Sequence, residues 1–160
     1  LRDHLRDVLR DQGIEAVAPM NAPFFLRQVS ERYSLASNWS ERHAAYVAGL
    51  GTFGLCDGLI TPVGKAVRCG SVVARMSVPP TVRRYSDHHE YCLHFSRGKC
   101  DKCIERCPAG ALSVDGHDKI KCQGYLKKMK AHWEERLGFE ASACGLCQTG
   151  VPCEFGIPVR

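Results

Sequence analysis

Eight of the ten cysteines fall within residues 92–153, as Cys92, Cys100, Cys103 and Cys107 and then Cys122, Cys144, Cys147 and Cys153. Thiolates are the ligands of soft transition metals and of iron-sulfur clusters. Two residues between Cys100 and Cys103, and again between Cys144 and Cys147, let one tight turn aim both thiolates at adjacent irons. Backbone N–H groups of such a turn face the cluster sulfurs. Cys107, after three residues that follow Cys103, faces away from the same cubane; Pro108 then fixes φ and removes a donor. Gly110 is expected to permit close backbone approach to a bulky inorganic group. Two cubanes need eight thiolates, which is what the stretch supplies.

Cys100-x2-Cys103-x3-Cys107-Pro108 matches three of the four ligands of the bacterial ferredoxin run, in which the cysteine before proline serves the other cluster. The position three before Cys100 is Arg97, so a longer loop over 93–99 is expected to bring Cys92 back. Cys147 and Cys153 are separated by five residues. The crossed logic of two-cluster ferredoxins assigns Cys92, Cys100, Cys103 and Cys153 to one 4Fe-4S cluster and Cys107, Cys122, Cys144 and Cys147 to the other. A four-cysteine zinc site would leave half of these thiolates without a purpose. A disulfide framework suits small secreted chains, whereas C-x2-C spacing is typical of metal or redox sites. Cys56 and Cys69 lie outside ligand spacing and read as small buried hydrophobes with no ligand role. The seven histidines show no ligand spacing beyond His88-His89, a surface pair.

The elements that must position these thiols are partly legible. Leu1, Leu5, Val8 and Leu9 share one face of a helix over 1–12, stopped by Gly13 and expected to pack on a core; residues 13–19 follow as a short strand. Phe24, Phe25, Val29 and Tyr33 fall at near-helical spacing. Ser40 caps a helix that ends at Gly49 and Gly51. Residues 58–62 and 66–78 read as strands joined by a turn at Val63-Gly64, with Pro62 and Gly70 pointing to an irregular or edge pairing. Residues 111–114 form a short strand. Asp118 precedes a helix whose Cys122, Tyr125, Leu126, Met129, Trp133 and Leu137 share a face, with Gly138 as its stop. The expected fold is therefore α/β over 1–80, a linker over 81–90, and a small α+β ferredoxin-like double-cluster domain over 91–160.

Composition sets outer limits. With 160 residues, 44% hydrophobic, and no run of 18 apolar residues, the chain reads as globular with no membrane segment. Residue 1 is Leu, which points to a fragment or processed form. The formal charge is +5, and residues 97–130 carry nine Lys or Arg against four Asp or Glu, a surplus of five. Two oxidised clusters, each about −2 with its four thiolates, bring about −4 that this count omits. Those basic side chains read as balancing the clusters or docking an acidic redox partner, donor or acceptor, rather than as a phosphate-binding face. Exposed clusters are attacked in oxidising compartments, so a reducing cytoplasm is the expected location.

Taken together, Ala48-Gly49-Leu50-Gly51-Thr52-Phe53-Gly54, Leu59-Ile60-Thr61, Gly70-Ser71, the Cys100 to Pro108 motif, Lys121-Cys122-x2-Tyr125-Leu126 and Cys144-x2-Cys147-Gln148 resemble epoxyqueuosine reductases in the same order. More distantly they are similar to corrinoid reductive dehalogenases. The match runs from about Ser40 onward. The resemblance implies a partial nitroreductase-like α/β domain holding cobalamin, on the segment 49–71, and a ferredoxin-like module whose two 4Fe-4S clusters feed it electrons. It further implies an epoxide in a tRNA base as substrate. In that family an aspartate a few residues before the glutamate of the helix resembling Glu41-x2-Ala44 donates a proton, whereas residues 34–39 here contain no carboxylate. No catalytic residue is assigned. The expectation is an iron-sulfur oxidoreductase, with a ferredoxin-like electron-transfer subunit or module as the alternative.

Overall fold

The computed structural model describes residues 1–32, 34–139 and 144–158. In chain order its elements are α1 (Arg2–Asp11), β1 (Ala16–Val17), a 3-10 turn (Pro19–Asn21), β2 (Arg27–Ser30), β3 (Ser34–Ser37), α2 (Glu41–Val47), β4 (Thr52–Phe53), β5 (Leu59–Ile60), β6 (Val73–Ala74), α3 (Leu93–Arg97), α4 (Lys102–Glu105), β7 (Leu112–Ser113), β8 (Gly116–His117) and α5 (Lys119–Leu137). The strands form four separate two-stranded antiparallel ladders. Two compact units result: Leu1–Gly51 with Arg68–Ser86, and Thr52–Val67 with the residues from Asp87 on. This interleaving differs from the sequence-based division. The segment 52–67 groups with the cysteine-rich part, and the 81–90 stretch is shared between the units rather than standing free as a linker.

In the first unit, α1 ends where Gly13 takes φ +76 and donates to the Arg10 carbonyl at 2.8 Å. Its apolar face is not buried as expected: Leu1, Leu5 and Val8 are exposed. The helix instead holds β1 through Arg10, whose Nε donates to the Ala16 carbonyl at 2.8 Å. β1 pairs with β6, so the strand expected over 66–78 shrinks to Val73–Ala74 and pairs with Ala16 and Val17, not with 58–62. Gly70 packs on the stem of Arg2 instead of continuing a ladder.

The helical face expected from Phe24, Phe25 and Val29 is a hairpin of β2 and β3, with Val29 opposite Leu35 and 83% exposed. Tyr33, the fourth member of that face, lies outside the described residues. Asn38 overrides the apolar spacing: its amide accepts from Leu26 N and donates to the Phe24 carbonyl, at 3.0 and 2.7 Å, closing the base of the hairpin. Such side-chain bonds to backbone compete directly with a helical ladder. Ser40 caps α2 as expected, accepting from His43 N at 3.4 Å. Residues 81–86 return onto α2, where Tyr85 stacks on Tyr46 and its hydroxyl donates to the Tyr46 carbonyl at 2.5 Å.

In the second unit, β4 and β5 form a tight hairpin whose Ile60 and Thr52 are fully buried. Thr52 Oγ1 accepts from Tyr91 N at 3.0 Å, and Phe53 N donates to the His88 carbonyl at 2.7 Å, so the hairpin anchors the start of the cysteine region. His89 is not merely a surface residue, since its Nδ1 sits 2.8 Å from the Phe53 carbonyl and its ring stacks on Phe95. Beyond β5, residues 61–64 turn and cross residues 153–155. There Lys65 N donates to the Cys153 carbonyl at 2.8 Å. A β-carbon on Gly64 would lie 1.9 Å from the Glu154 carbonyl oxygen, and its φ is +92, so only glycine fits this crossing.

The α5 helix follows its sequence signature. Asp118 accepts from Ile120 N and Lys121 N, both at 3.0 Å, and Gly138 closes the helix in the left-handed region at φ +71. Buried apolar side chains of this unit, among them Leu55, Leu59, Ile60, Tyr91, Ala111, Leu112 and Val151, share the interior with Cys56, Cys92, Cys103 and Cys153. Among the described residues, no helix is long and apolar enough to cross a membrane.

Candidate metal centre

Cys92 sits at the amino-terminal cap of α3, where its carbonyl accepts from Ser96 N and Ser96 Oγ, both at 2.9 Å. The expected loop over 93–99 is therefore mostly helix. Gly98 ends it at φ +63, and His94 Nδ1 lies 3.0 Å from Asp101 Oδ1, fastening the segment to the turn that carries Cys100. Cys103 falls within α4 and is buried.

After α4, Ile104 O accepts from Cys107 N and Cys107 O accepts from Gly110 N, at 3.0 and 3.1 Å. Ala111 N then donates to Cys107 Sγ at 3.3 Å. Gly110 has open space around its α-carbon and φ +56. It lets the chain turn, and no atom of the chain occupies the side on which a β-carbon would lie. Arg106 holds the second C-x2-C pair from across the fold: its Nε donates to the Leu146 carbonyl at 3.0 Å, and its guanidinium fills the space where a Gly150 side chain would be.

The cysteines gather in two sets. Cys92, Cys100, Cys103 and Cys153 line one cavity, together with Lys65 and the apolar side chains of Leu55, Leu93 and Val151. Cys122 has Cys107 and Cys144 as charged neighbours, and Cys144 in turn acts on Cys147. Burial, first among the causes, pushes the Cys122 and Cys153 thiols up. Among the described residues no group of three or more His, Cys, Asp or Glu could hold a single metal ion. A cubane makes a different demand, because each thiolate binds its own iron and the sulfurs stand apart around a core. Four thiols, an apolar wall and one cation are a donor set that fits an anionic cluster.

Two residues here escape a reading from spacing. Cys56, 4% exposed, is buried as expected of a small hydrophobe but lies at the meeting of the two sets: hydrogen bonds with Cys103 and Cys147, then the charge of Lys65, hold its thiol well below the usual range. The same bonds, with burial, raise Cys103 and Cys147. Lys65 Nζ lies 3.2 Å from Cys56 Sγ. Burial opposes the Lys65 ammonium, but the charges of Cys56, Cys153 and Cys103 outweigh it and raise its pKa. Cys69 belongs to the other unit, where burial raises its thiol. The signal in the sequence is a basic residue preceded by Gly58 and Gly64, since each glycine makes room for Lys65 or its turn.

The segment 49–71, read by resemblance as a resting place for cobalamin, is lined differently. Gly54 faces Ile60, Gly58 faces Lys65, Gly64 faces Glu154 and Gly70 faces Arg2. At these four glycines a β-carbon would meet the chain's own atoms. Glu41 is engaged as well, paired with Arg2 Nε at 2.7 Å and accepting from Ser71 Oγ, which itself accepts from Trp39 Nε1 at 3.0 Å.

The chain is 31% identical over 124 residues to an epoxyqueuosine reductase of Bacillus anthracis and to one of Bacillus cereus, and 28% identical to one of Staphylococcus aureus. Each alignment takes in 74% of this chain and 30% of the relative. The chain is thus distantly related to epoxyqueuosine reductases and spans about 30% of the length of these curated relatives. No family profile matches it, and no solved structure matches it.

Proposed function

We propose that this chain is an iron-sulfur electron-transfer unit of an oxidoreductase related to the epoxyqueuosine reductases, with a ferredoxin-like arrangement of two 4Fe-4S clusters. Cys92, Cys100, Cys103 and Cys153 would hold one and Cys107, Cys122, Cys144 and Cys147 the other. The observation that carries this is the convergence of Cys153 with Cys92, Cys100 and Cys103 on one cavity, while Cys107 neighbours Cys122. Such clusters exchange single electrons. The chain's part is to fix the thiols and exclude water with Leu55, Leu93 and Val151. It also presents basic side chains of the 97–130 stretch, such as Lys99, Lys121 and Lys127, all exposed, to an acidic redox partner.

Whether the acceptor is a corrinoid and an epoxide, as the relatives' name and the resemblance suggest, or another redox protein, divides enzyme from module. The absence of a carboxylate in 34–39 and the engagement of Glu41 favour the module. The test is Cys107→Ala in anaerobically purified protein. About half the iron should be lost, and the electron paramagnetic resonance of the remaining centre should persist on reduction. Loss of both centres, or of the Cys103 centre alone, contradicts the crossing. Stoichiometric cobalt in the unaltered protein would favour the enzyme over the module.

A further inference from the structure

Lys65 is 3% exposed, and among the described residues the other buried polar side chains of its unit, Thr52 and Thr61, are neutral. The glycines around it make its place a built one. Its stem crosses Gly58, where a β-carbon would come 2.7 Å from Cδ, and the turn that delivers it closes on Gly64. Its Nζ stops 3.2 Å from Cys56 Sγ, and it lines the cavity with Cys92, Cys100, Cys103 and Cys153. A buried ammonium is costly unless a lasting negative charge faces it. A neutral thiol does not provide that; Cys56 as the thiolate would answer it from one side, and four thiolates around an iron-sulfur core would face it from the cavity. One-electron reduction adds a negative charge to such a centre and breaks no bond, so a fixed cation beside it favours the reduced form.

We propose that Lys65 is the resident counter-charge of the Cys92, Cys100, Cys103 and Cys153 centre and holds it at a higher reduction potential than the Cys107, Cys122, Cys144 and Cys147 centre. The inference rests on the two-cluster reading. Cys147 also feels Lys65 but does not line that cavity, so the second centre responds less. Electrons would then run from the second centre to the first.

A dithionite titration at set potentials, followed by electron paramagnetic resonance, tests this on the full chain, with Cys122→Ala identifying the second centre's signal. In the unaltered protein the first centre should be reduced first. Lys65→Met should lower its reduced-to-oxidised ratio at a given potential by about tenfold or more, which is about 59 mV for one electron. Gly58→Ala alters no charge and no ligand but displaces the Lys65 stem; it should move the ratio the same way and carries the test where Lys65→Met fails to fold. An unshifted ratio in either assembled variant overturns the proposal. So does loss of iron from both, because the role assigned is in potential and not in assembly. Absence of iron and sulfide from the unaltered protein would instead overturn the two-cluster reading.

Discussion

Gly64 marks the point where the turn carrying Lys65 passes the backbone of Glu154 and Phe155. A methyl group there meets backbone atoms that cannot give way as a side chain would, and φ is +92. Gly64→Ala should therefore destabilise the unit by about 3 kcal/mol, combining overpacking with left-handed strain. Denaturant unfolding of the two proteins side by side measures it; a change below about 0.5 kcal/mol would mean that the crossing is not formed. The ligand cysteines are legible in the sequence because their spacing is a local property, set by one turn at a time. Cys56 and Lys65 are not, because their surroundings are assembled from distant parts of the chain, Cys56 to Cys103 being 47 positions apart.

At the level of elements, α5 shows what makes a helix readable: a capping Asp118 and a left-handed Gly138, each acting on its own neighbours in sequence, while the expected face of Cys122 to Leu137 buries none of its side chains. The hairpin at 27–37 shows the reverse, since apolar residues at helical spacing lose to the amide of Asn38, which closes the chain on itself. The strand expected over 66–78 is shorter for a similar reason, its β-branched residues finding a two-residue partner in β1. The cap of α5 carries a pH dependence. Backbone hydrogen bonds from Lys121, and next Ile120, hold the Asp118 carboxyl below its ordinary value of 3.8. Its contribution is fully present above that unfolded value and is lost as pH falls through the lower folded one. Circular dichroism from about pH 5 to pH 2 should show α5 lose helix in the unaltered protein, while Asp118→Asn, a neutral cap, should lack that component. An identical acid profile for the two would contradict the cap's role.

For the molecule as a whole, the formal charge of +5 describes a chain without its proposed clusters. With about −4 from two oxidised centres the protein would be close to neutral, its basic residues over 97–130 facing acidic partners more than nucleic acid. The division into units follows the same logic, because the glycine-rich segment Thr52–Val67 folds with the cysteines and brings Cys56 and Lys65 among them. Periodicity does not show this, as that segment's pattern is of short strands and glycines whichever unit it joins. The central claim is that eight thiols in crossed sets hold two cubanes, and metal and sulfide analysis of anaerobically purified protein tests it most directly. About eight iron and about eight acid-labile sulfide per chain is the predicted result; stoichiometric zinc without sulfide would contradict it.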